Sequence, residues 1–253
     1  QNLPELTKPD YKHLYFVDGS PFSGDVNIGS DSSPNWRTFL VGTLGAGGKG
    51  YFVLDVTKPG SPSTITSSAV DNEFSKNNAS TLVLMDKTAH KDQFTTQSTT
   101  DINADIGHIF ASPVVDDSNP HYTNQVALMN NGRWAVVMGN GYNSANQRPV
   151  LLIQYLSGND TSIKAIPAVT SLESPIAQRN GLSAPRLVDI NGDGTPDVVY
   201  AGDLLGNMWK FDVSSNTESD WNIAFSGKPL YTARYESGGS STAQSITTPP
   251  LVK

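Results

Sequence analysis

Short hydrophobic runs recur along the whole chain and are separated by turns rich in glycine, asparagine, serine and aspartate. Runs of this length that are rich in valine, isoleucine, tyrosine and phenylalanine are typical of β-strands. The pattern therefore favours many short strands over long helices. Strands are predicted at residues 13–17, 36–41, 50–56, 111–116, 133–138, 149–156, 161–166, 183–189, 197–201, 208–213 and 228–234, with a shorter run at 81–85 and a loop at 18–35.

The predicted strands repeat in groups along the chain. Proline leads one strand of successive groups at Pro113, Pro185 and Pro249, and these prolines lie 72 and 64 positions apart. A unit that holds about four short strands with loops has the size of a β-propeller blade. One blade cannot bury both of its faces, so neighbouring blades are expected to stack face to face.

These groups predict an all-β fold, namely a modified β-propeller with about three blades of four-stranded antiparallel sheets. The chain is treated as one domain, or as a segment of a larger propeller because a further unit begins near its end. A two-sheet β-sandwich is the structural alternative, and it explains the repeat less well. The blades are predicted at residues 11–70, 109–170 and 183–235, the start of a further blade at 246–253, and a long insertion at 71–108.

Tryptophan positions follow the same repeat. Trp36 and Trp134 open the same strand of successive units, whereas Trp209 lies one strand further on. Large aromatic side chains contribute most to packing when they are enclosed between layers. We expect all three to pack in the cores between blades, with ligand stacking as the alternative role.

Charge and composition narrow the classes of function. The chain has 24 acidic and 17 basic residues, a net charge of -7, and no cluster of lysine or arginine, so a nucleic-acid surface is not expected. It contains no cysteine, which excludes thiolate metal sites, thiol catalysis and disulfides. No hydrophobic run approaches the length of a membrane span. Any export signal is expected to lie outside this sequence.

One stretch of the chain has the spacing of a calcium-binding loop. Oxygen-bearing side chains alternate with residues that lack an acidic group, and Gly194 permits the sharp turn that directs those oxygens inward. Tyr200 stands where an EF-hand requires a bidentate glutamate, and a predicted strand follows, so the loop joins two strands. A surface turn without metal is the alternative. The predicted Ca²⁺ ligands are Asp189, Asn191, Asp193, Thr195 and Asp197.

Other polar clusters give weaker signals. A second metal site is a possible interpretation of a loosely spaced acidic loop formed by Asp18, Asp25, Asn27 and Asp31. Asp101, Asn103 and Asp105 have the spacing of half a calcium loop, but Ile106 follows where glycine is needed, so a solvated turn is expected. The histidines show no metal-ligand spacing and are expected to be structural or exposed: His13, His90, His108 and His121.

Catalytic motifs are missing from the sequence. No Gly-x-Ser-x-Gly elbow is found, and the glycine-rich run at 45–50 lacks the Gly-Lys-Ser/Thr ending and the helix of a phosphate loop. This run is predicted to be a flexible hairpin turn. We therefore expect a protein that is not an enzyme.

Several longer motifs, taken in order, resemble the C-terminal β-propeller of type IV pilus tip-associated adhesins of the PilC/PilY type. Each motif is moderately specific, and together they run through most of the chain. They are WRTFLVG at 36–42, GGKGYFVLDVT at 47–57, WAVVMGNG at 134–141, LVDINGDGTPD at 187–197, YAGDLLGNMWKFD at 200–212 and QSITTP at 244–249.

The resemblance implies a location at the pilus tip or on the outer surface of a Gram-negative bacterium. It also implies that pilin or minor pilins are partners, that a host-cell receptor is a further possible partner, and that calcium controls pilus extension against retraction. The matching loop positions are the five predicted ligands from Asp189 to Asp197.

Two other functions remain open at the level of sequence. A quinoprotein dehydrogenase is also a propeller with calcium, but its metal ligands are scattered, whereas one continuous loop supplies all of them here. An integrin-like calcium propeller that recognises protein or sugar uses the same loop, but it predicts similar loops in several blades, and only one is complete in this chain.

Overall fold

The computed structural model describes residues 3–59, 74, 76–89, 94–110, 114, 124–156, 160–175 and 178–252. Within these ranges, antiparallel β-strands dominate and form three main sheets and one separate hairpin. The only α-helix in the described ranges is the four-residue α1, Ala79–Leu82. The predicted all-β class with four-stranded antiparallel sheets is confirmed.

The first sheet has the strand order β1-β2-β3-β4. Its strands are β1 (Phe22–Asn27), β2 (Trp36–Thr43), β3 (Tyr51–Asp55) and β4 (Val83–Asp86). The strand predicted at residues 13–17 is wrong, because this segment forms no strand and exposes Leu14, Tyr15 and Val17. Instead, β1 lies in the predicted loop at 18–35, and β4 comes from the run at 81–85. The glycine-rich turn at 45–50 contains a 3-10 turn, Gly45–Gly47.

The second sheet has the order β5-β6-β7-β8. Its strands are β5 (Val126–Leu128), β6 (Trp134–Gly139), β7 (Val150–Tyr155) and β8 (Ile163–Pro167). The last three match predicted strands, whereas β5 was not predicted. The strand predicted at 111–116 lies outside the described residues apart from Val114.

The third sheet contains β9 (Arg186–Val188), β10 (Val198–Gly202) and β11 (Asn207–Asp212). Two short strands pair with different ends of β11, namely β12 (Asn222–Ile223) and β13 (Tyr231–Thr232). The remaining strands, β14 (Arg234–Ser237) and β15 (Ser240–Ala243), form the separate hairpin. Residues 248–252 form no strand, and a further blade starting at 246–253 stays a prediction.

The second sheet lies between the other two, and this position explains its sequence. Val136 and Met138 of β6 pack with the first sheet, whereas the intervening Ala135 and Val137 pack with the third. Successive side chains of a strand point to opposite faces, so a strand buried on both faces is largely hydrophobic, and a polar residue such as Gln154 of β7 needs hydrogen-bond partners. All six residues of β7 are accordingly buried.

The tryptophans divide between the core and the surface. Trp209 is fully buried between the second and third sheets, as predicted. The core role predicted for Trp36 is wrong, because 55% of this residue is exposed at the start of β2. Trp134 is partly buried against the core, and its ring meets that of Trp36 edge to face at a centroid distance of 5.7 Å.

Candidate metal centre

The predicted calcium loop connects β9 to β10 at one end of the third sheet. Gly192 and Gly194 have φ angles of 79° and 91°, in the left-handed region where a β-carbon is disfavoured. These φ angles allow the tight turns of the loop, in which the side chains of Asp189 and Asp197 accept hydrogen bonds from the loop backbone.

Two carboxylates organise the loop backbone. Asp189 accepts hydrogen bonds from the backbone nitrogens of Gly192 at 2.7 Å and Gly194 at 2.8 Å. Asp197 accepts from the backbone nitrogens of Ile190 at 2.7 Å and Asn191 at 3.2 Å. Asp197 is buried, whereas Asp189 is exposed. The loop is therefore closed at its base by a buried carboxylate and open at its tip.

The Asn191 amide lies between the exposed carboxylate of Asp193 at the loop tip and the buried carboxylate of Asp197 at the loop base. Nδ2 of Asn191 lies 3.0 Å from Oδ2 of Asp193 and 3.5 Å from Oδ1 of Asp197. Thr195 donates to Oδ1 of Asp193 through its backbone nitrogen at 2.8 Å and its hydroxyl at 2.6 Å. These bonds, chiefly the one from the Thr195 hydroxyl, lower the pKa of Asp193 and keep it ionised.

The donor set fits a hard divalent cation. Every side chain of the predicted site carries oxygen, and carboxylate oxygens keep further lone pairs while they accept backbone hydrogen bonds. The Asn191 amide hydrogens occupy the position between two carboxylates where a cation would be favoured. In this geometry no three acidic or histidine side chains of the described residues converge as metal ligands. A bound ion therefore requires Asn191 to turn its oxygen inward.

A residue of the second sheet anchors the loop, and sequence reasoning missed it. Asn130, in the turn between β5 and β6, has its Oδ1 2.9 Å from the Thr195 hydroxyl, whose single proton is shared between Asn130 and Asp193. Its Nδ2 donates to the backbone oxygens of Pro196 at 2.8 Å and Val213 at 3.0 Å. The Asn-Asn-Gly sequence at 130–132 signalled only a turn. The hydrogen-bond partners of Asn130 are distant in sequence, so only the folded structure identifies them.

Comparison with known proteins identifies the family of this chain. A family model described as the PilY1 beta-propeller domain matches residues 1–253. The chain belongs to the PilY1 β-propeller family. It is 33% identical to a crystal structure of the Pseudomonas aeruginosa PilY1 C-terminal domain, with a TM-score of 0.62 over 93% of this chain and 40% of that one. The predicted modified β-propeller and the resemblance are both confirmed.

Relatives that match over most of the chain are described as PilY1 or as PilY1 homologs. The chain is 35% identical to the type IV pilus biogenesis factor PilY1 of P. aeruginosa strain UCBPP-PA14, covering 100% of this chain and 19% of that protein. It is 34% identical to a PilY1 homolog of Xylella fastidiosa, covering 94% of this chain and 14% of that protein. The chain thus spans a small part of these relatives. No helix among its described residues has the length and apolarity needed to cross a bilayer.

Among the residues that the structure describes, the second acidic loop does not converge into a metal site. Asp18 accepts from the backbone nitrogen of Ala46, and Asp25 on β1 accepts from the Thr38 hydroxyl. The side chain of Asn27 closes its own turn by accepting from the backbone of residues 29 and 35. Asp31 is exposed. These side chains therefore make separate contacts and do not converge on one site.

The solvated turn expected at Asp101, Asn103 and Asp105 is only half right. Asp101 is exposed and caps a 3-10 turn, Ile102–Asp105, by accepting from the backbone nitrogen of Asn103. Asp105 is buried and bonds twice to the guanidinium of Arg148, at 2.9 Å for each contact. The error arose because Arg148 is far away in sequence.

Of the histidines, His108 is structural, with Nδ1 2.8 Å from the Gly45 carbonyl oxygen.

A polar cluster joins the second and third sheets beside the hydrophobic core. The Tyr155 hydroxyl donates to Glu218 at 2.7 Å and accepts from Nδ2 of Asn131 at 2.8 Å. Arg133 lies over the Tyr155 ring, 3.3 Å from its centroid, and pairs with Glu218 at 2.9 Å and with Asp160. The cluster fixes the turn next to Asn130 and so contributes to the position of the candidate metal centre.

Proposed function

We propose that this chain is a calcium-binding, non-enzymatic β-propeller module of a type IV pilus biogenesis factor. The observation that carries the proposal is the loop from Asp189 to Asp197, which presents only oxygen ligands and is anchored to the neighbouring sheet by Asn130. Exposed sites of this kind bind calcium at micromolar to millimolar levels, which match extracellular concentrations. An extracellular position at the pilus tip or outer cell surface is therefore part of the proposal.

The mechanism is electrostatic and conformational. Calcium supplies a positive charge among the carboxylates when it is bound. Asp189 and Asp197 hold the loop backbone, Asp193 presents a carboxylate at the tip, and the Thr195 hydroxyl links the loop to Asn130. Asn191 would turn its amide oxygen toward a bound ion. A change in the loop thereby reaches the second sheet without unfolding the propeller.

Calcium occupancy of the loop would determine the conformation of the surface that contacts partner proteins. We propose pilin or minor pilins as the partners that read this surface, and a host-cell receptor as a further partner in adhesion. The balance between pilus extension and retraction would then follow calcium occupancy. The names of the relatives, which are pilus biogenesis factors, support this assignment.

Calorimetric titration with calcium tests the proposal directly. The protein should bind one calcium ion at this loop, magnesium should bind more weakly, and Asp193→Ala should abolish the calcium signal while the far-ultraviolet circular dichroism is unchanged. Asp212→Ala is the matched control. Asp212 is an exposed carboxylate on the same sheet that accepts from the backbone nitrogen and hydroxyl of Ser214, as Asp193 does from Thr195.

Binding that survives in Asp193→Ala, or is absent in the wild type, contradicts the calcium site. Loss of the fold in Asp193→Ala indicates a structural ion rather than a regulatory one. The same two substitutions in the full-length pilus factor, assayed by surface pilus counts, separate calcium control of the pilus from calcium binding alone.

A further inference from the structure

A groove of about 940 Å³ opens beside the candidate metal centre. It is bordered by all three main sheets. The first contributes Gly24, Asp25 and Trp36, the second contributes Trp134 and one side of β5, and the third contributes the tip of the metal loop. A concave surface of this size at the meeting point of three sheets is typical of a binding site.

Aromatic surface forms one wall of the groove. Trp36 is more than half exposed, although large aromatic side chains are usually enclosed when they serve only the core. Its ring contacts that of Trp134 edge to face, and this contact favours one orientation of the exposed ring. An exposed indole is a favourable surface for stacking a planar group or holding a cation.

The charge of the groove is entirely negative. Asp25, Asp189 and Asp193 line it, and no lysine, arginine or histidine appears among the described residues at its wall. All three of these carboxylates are exposed. Carboxylates that face a tryptophan complement a cation, whereas a neutral ligand would leave this charge uncompensated.

We propose that this groove binds an arginine or lysine side chain presented by a partner polypeptide. The cation lies against Trp36 and pairs with the carboxylates of Asp25, Asp189 and Asp193. The part of the proposal that concerns calcium rests on the proposed function. Calcium uses Asp189 and Asp193, so the ion and the cationic side chain compete for the same negative charge and each lowers the affinity for the other.

The test uses N-acetyl-triarginine amide as the probe, and its citrulline counterpart as a neutral molecule of the same shape. Binding is measured by calorimetry at low ionic strength in the presence of a calcium chelator. Triarginine should bind and tricitrulline should not. Trp36→Ala should weaken triarginine binding about threefold or more. Asp25→Asn should weaken it to a similar extent, of the order measured for exposed charge pairs.

Tyr235→Ala is the control, because this tyrosine is as exposed as Trp36 but lies on the separate hairpin. It should leave triarginine binding unchanged. Saturating calcium should raise the dissociation constant of triarginine about fivefold or more in the wild type. Asp25→Asn and Trp36→Ala should keep the calcium titration itself unchanged.

Equal binding of tricitrulline, or equal weakening by Tyr235→Ala, overturns the proposal. Binding of maltohexaose in place of triarginine also overturns it and indicates a sugar site. If calcium does not bind but triarginine binding still depends on Trp36 and Asp25, the groove assignment stands and the calcium function fails. If calcium binds without changing the affinity for triarginine, the competition is wrong.

Discussion

The Tyr51 hydroxyl of β3 donates a 2.6 Å hydrogen bond to Oε1 of Gln154 on β7. Both side chains are fully buried, and the bond crosses from the first sheet to the second. Nε2 of Gln154 donates in turn to backbone oxygens of residues 155, 161 and 162. A buried phenol and a buried amide therefore satisfy each other within an otherwise hydrophobic interface.

Stability should fall at alkaline pH because two tyrosines resist ionisation in the folded protein. Burial raises the pKa of Tyr51, and burial with the hydrogen bond to Glu218 raises the pKa of Tyr155. In the unfolded chain both ionise near pH 10, so the unfolded state loses protons that the folded state keeps. The contribution of these two tyrosines to the free energy of unfolding should be constant below about pH 10 and should decrease above it.

Urea denaturation between about pH 8 and pH 11 checks this expectation. Tyr51→Phe should reduce the alkaline decrease. It should also lower stability by about 1–3 kcal/mol at the lower pH, because Oε1 of Gln154 loses its partner. Tyr235→Phe, at an exposed position, is the control and should change neither property. An unchanged alkaline decrease in both Tyr51→Phe and Tyr155→Phe would contradict the assignment.

Asn130→Ala should weaken the connection between the metal loop and the second sheet. The substitution leaves the Thr195 hydroxyl without this acceptor and the Pro196 and Val213 carbonyl oxygens without their side-chain donor. We expect a loss of about 1–3 kcal/mol in the free energy of unfolding. Asn130→Asp retains an acceptor for Thr195 but not the donor, so its calcium affinity should exceed that of Asn130→Ala. Identical affinities in a calorimetric comparison would contradict this coupling.

Gly194→Ala should disturb the loop through its backbone alone. A β-carbon at Gly194 would meet no atom within 4 Å, so only the φ angle of 91° opposes it. The left-handed conformation costs an L-residue about 1–2 kcal/mol. Gly239→Ala is the matched control, because Gly239 has a φ of 78° and its β-carbon would also meet no atom within 4 Å, in the turn between β14 and β15. Both should lose similar stability by thermal unfolding, but only Gly194→Ala should lose calcium affinity.

The Asp105–Arg148 pair should be the most sensitive polar contact to a single substitution. Both residues are buried, and Arg148 also donates to the Thr170 carbonyl oxygen at 3.0 Å. Arg148→Met leaves a buried carboxylate without its cation and should cost about 3–5 kcal/mol. Adding Asp105→Leu to Arg148→Met should restore part of this loss. A double-mutant cycle in urea measures the coupling, and additive effects would argue against it.

Sequence patterns predicted the parts of this fold that depend on neighbouring residues. The strands β6 and β7 were recognised because burial on both faces makes them largely hydrophobic. The turn at Gly194 followed from the spacing of a calcium loop, whereas the second left-handed glycine, Gly192, was not singled out. In contrast, β1 was missed because only Phe22 and Val26 of its six residues are buried. Calcium binding by the loop stays a prediction.

The remaining features depend on contacts that no local pattern encodes. Trp36 and Trp209 look alike in sequence, but one is exposed at a strand end and the other is enclosed between sheets. Asn130 and Arg148 act on residues dozens of positions away. Charge and residue type could suggest a partner for each, but only the stacking order of the sheets decides which partner is near.

The two interfaces between sheets carry different polar pairs, Tyr51 with Gln154 in one and Tyr155 with Glu218 in the other. The sheets are therefore not interchangeable modules. A duplicated or transplanted sheet would place a buried phenol or amide opposite the wrong neighbour, and such a group is costly without its partner. Exchanging sheets within this propeller should therefore destabilise it unless both members of each pair move together.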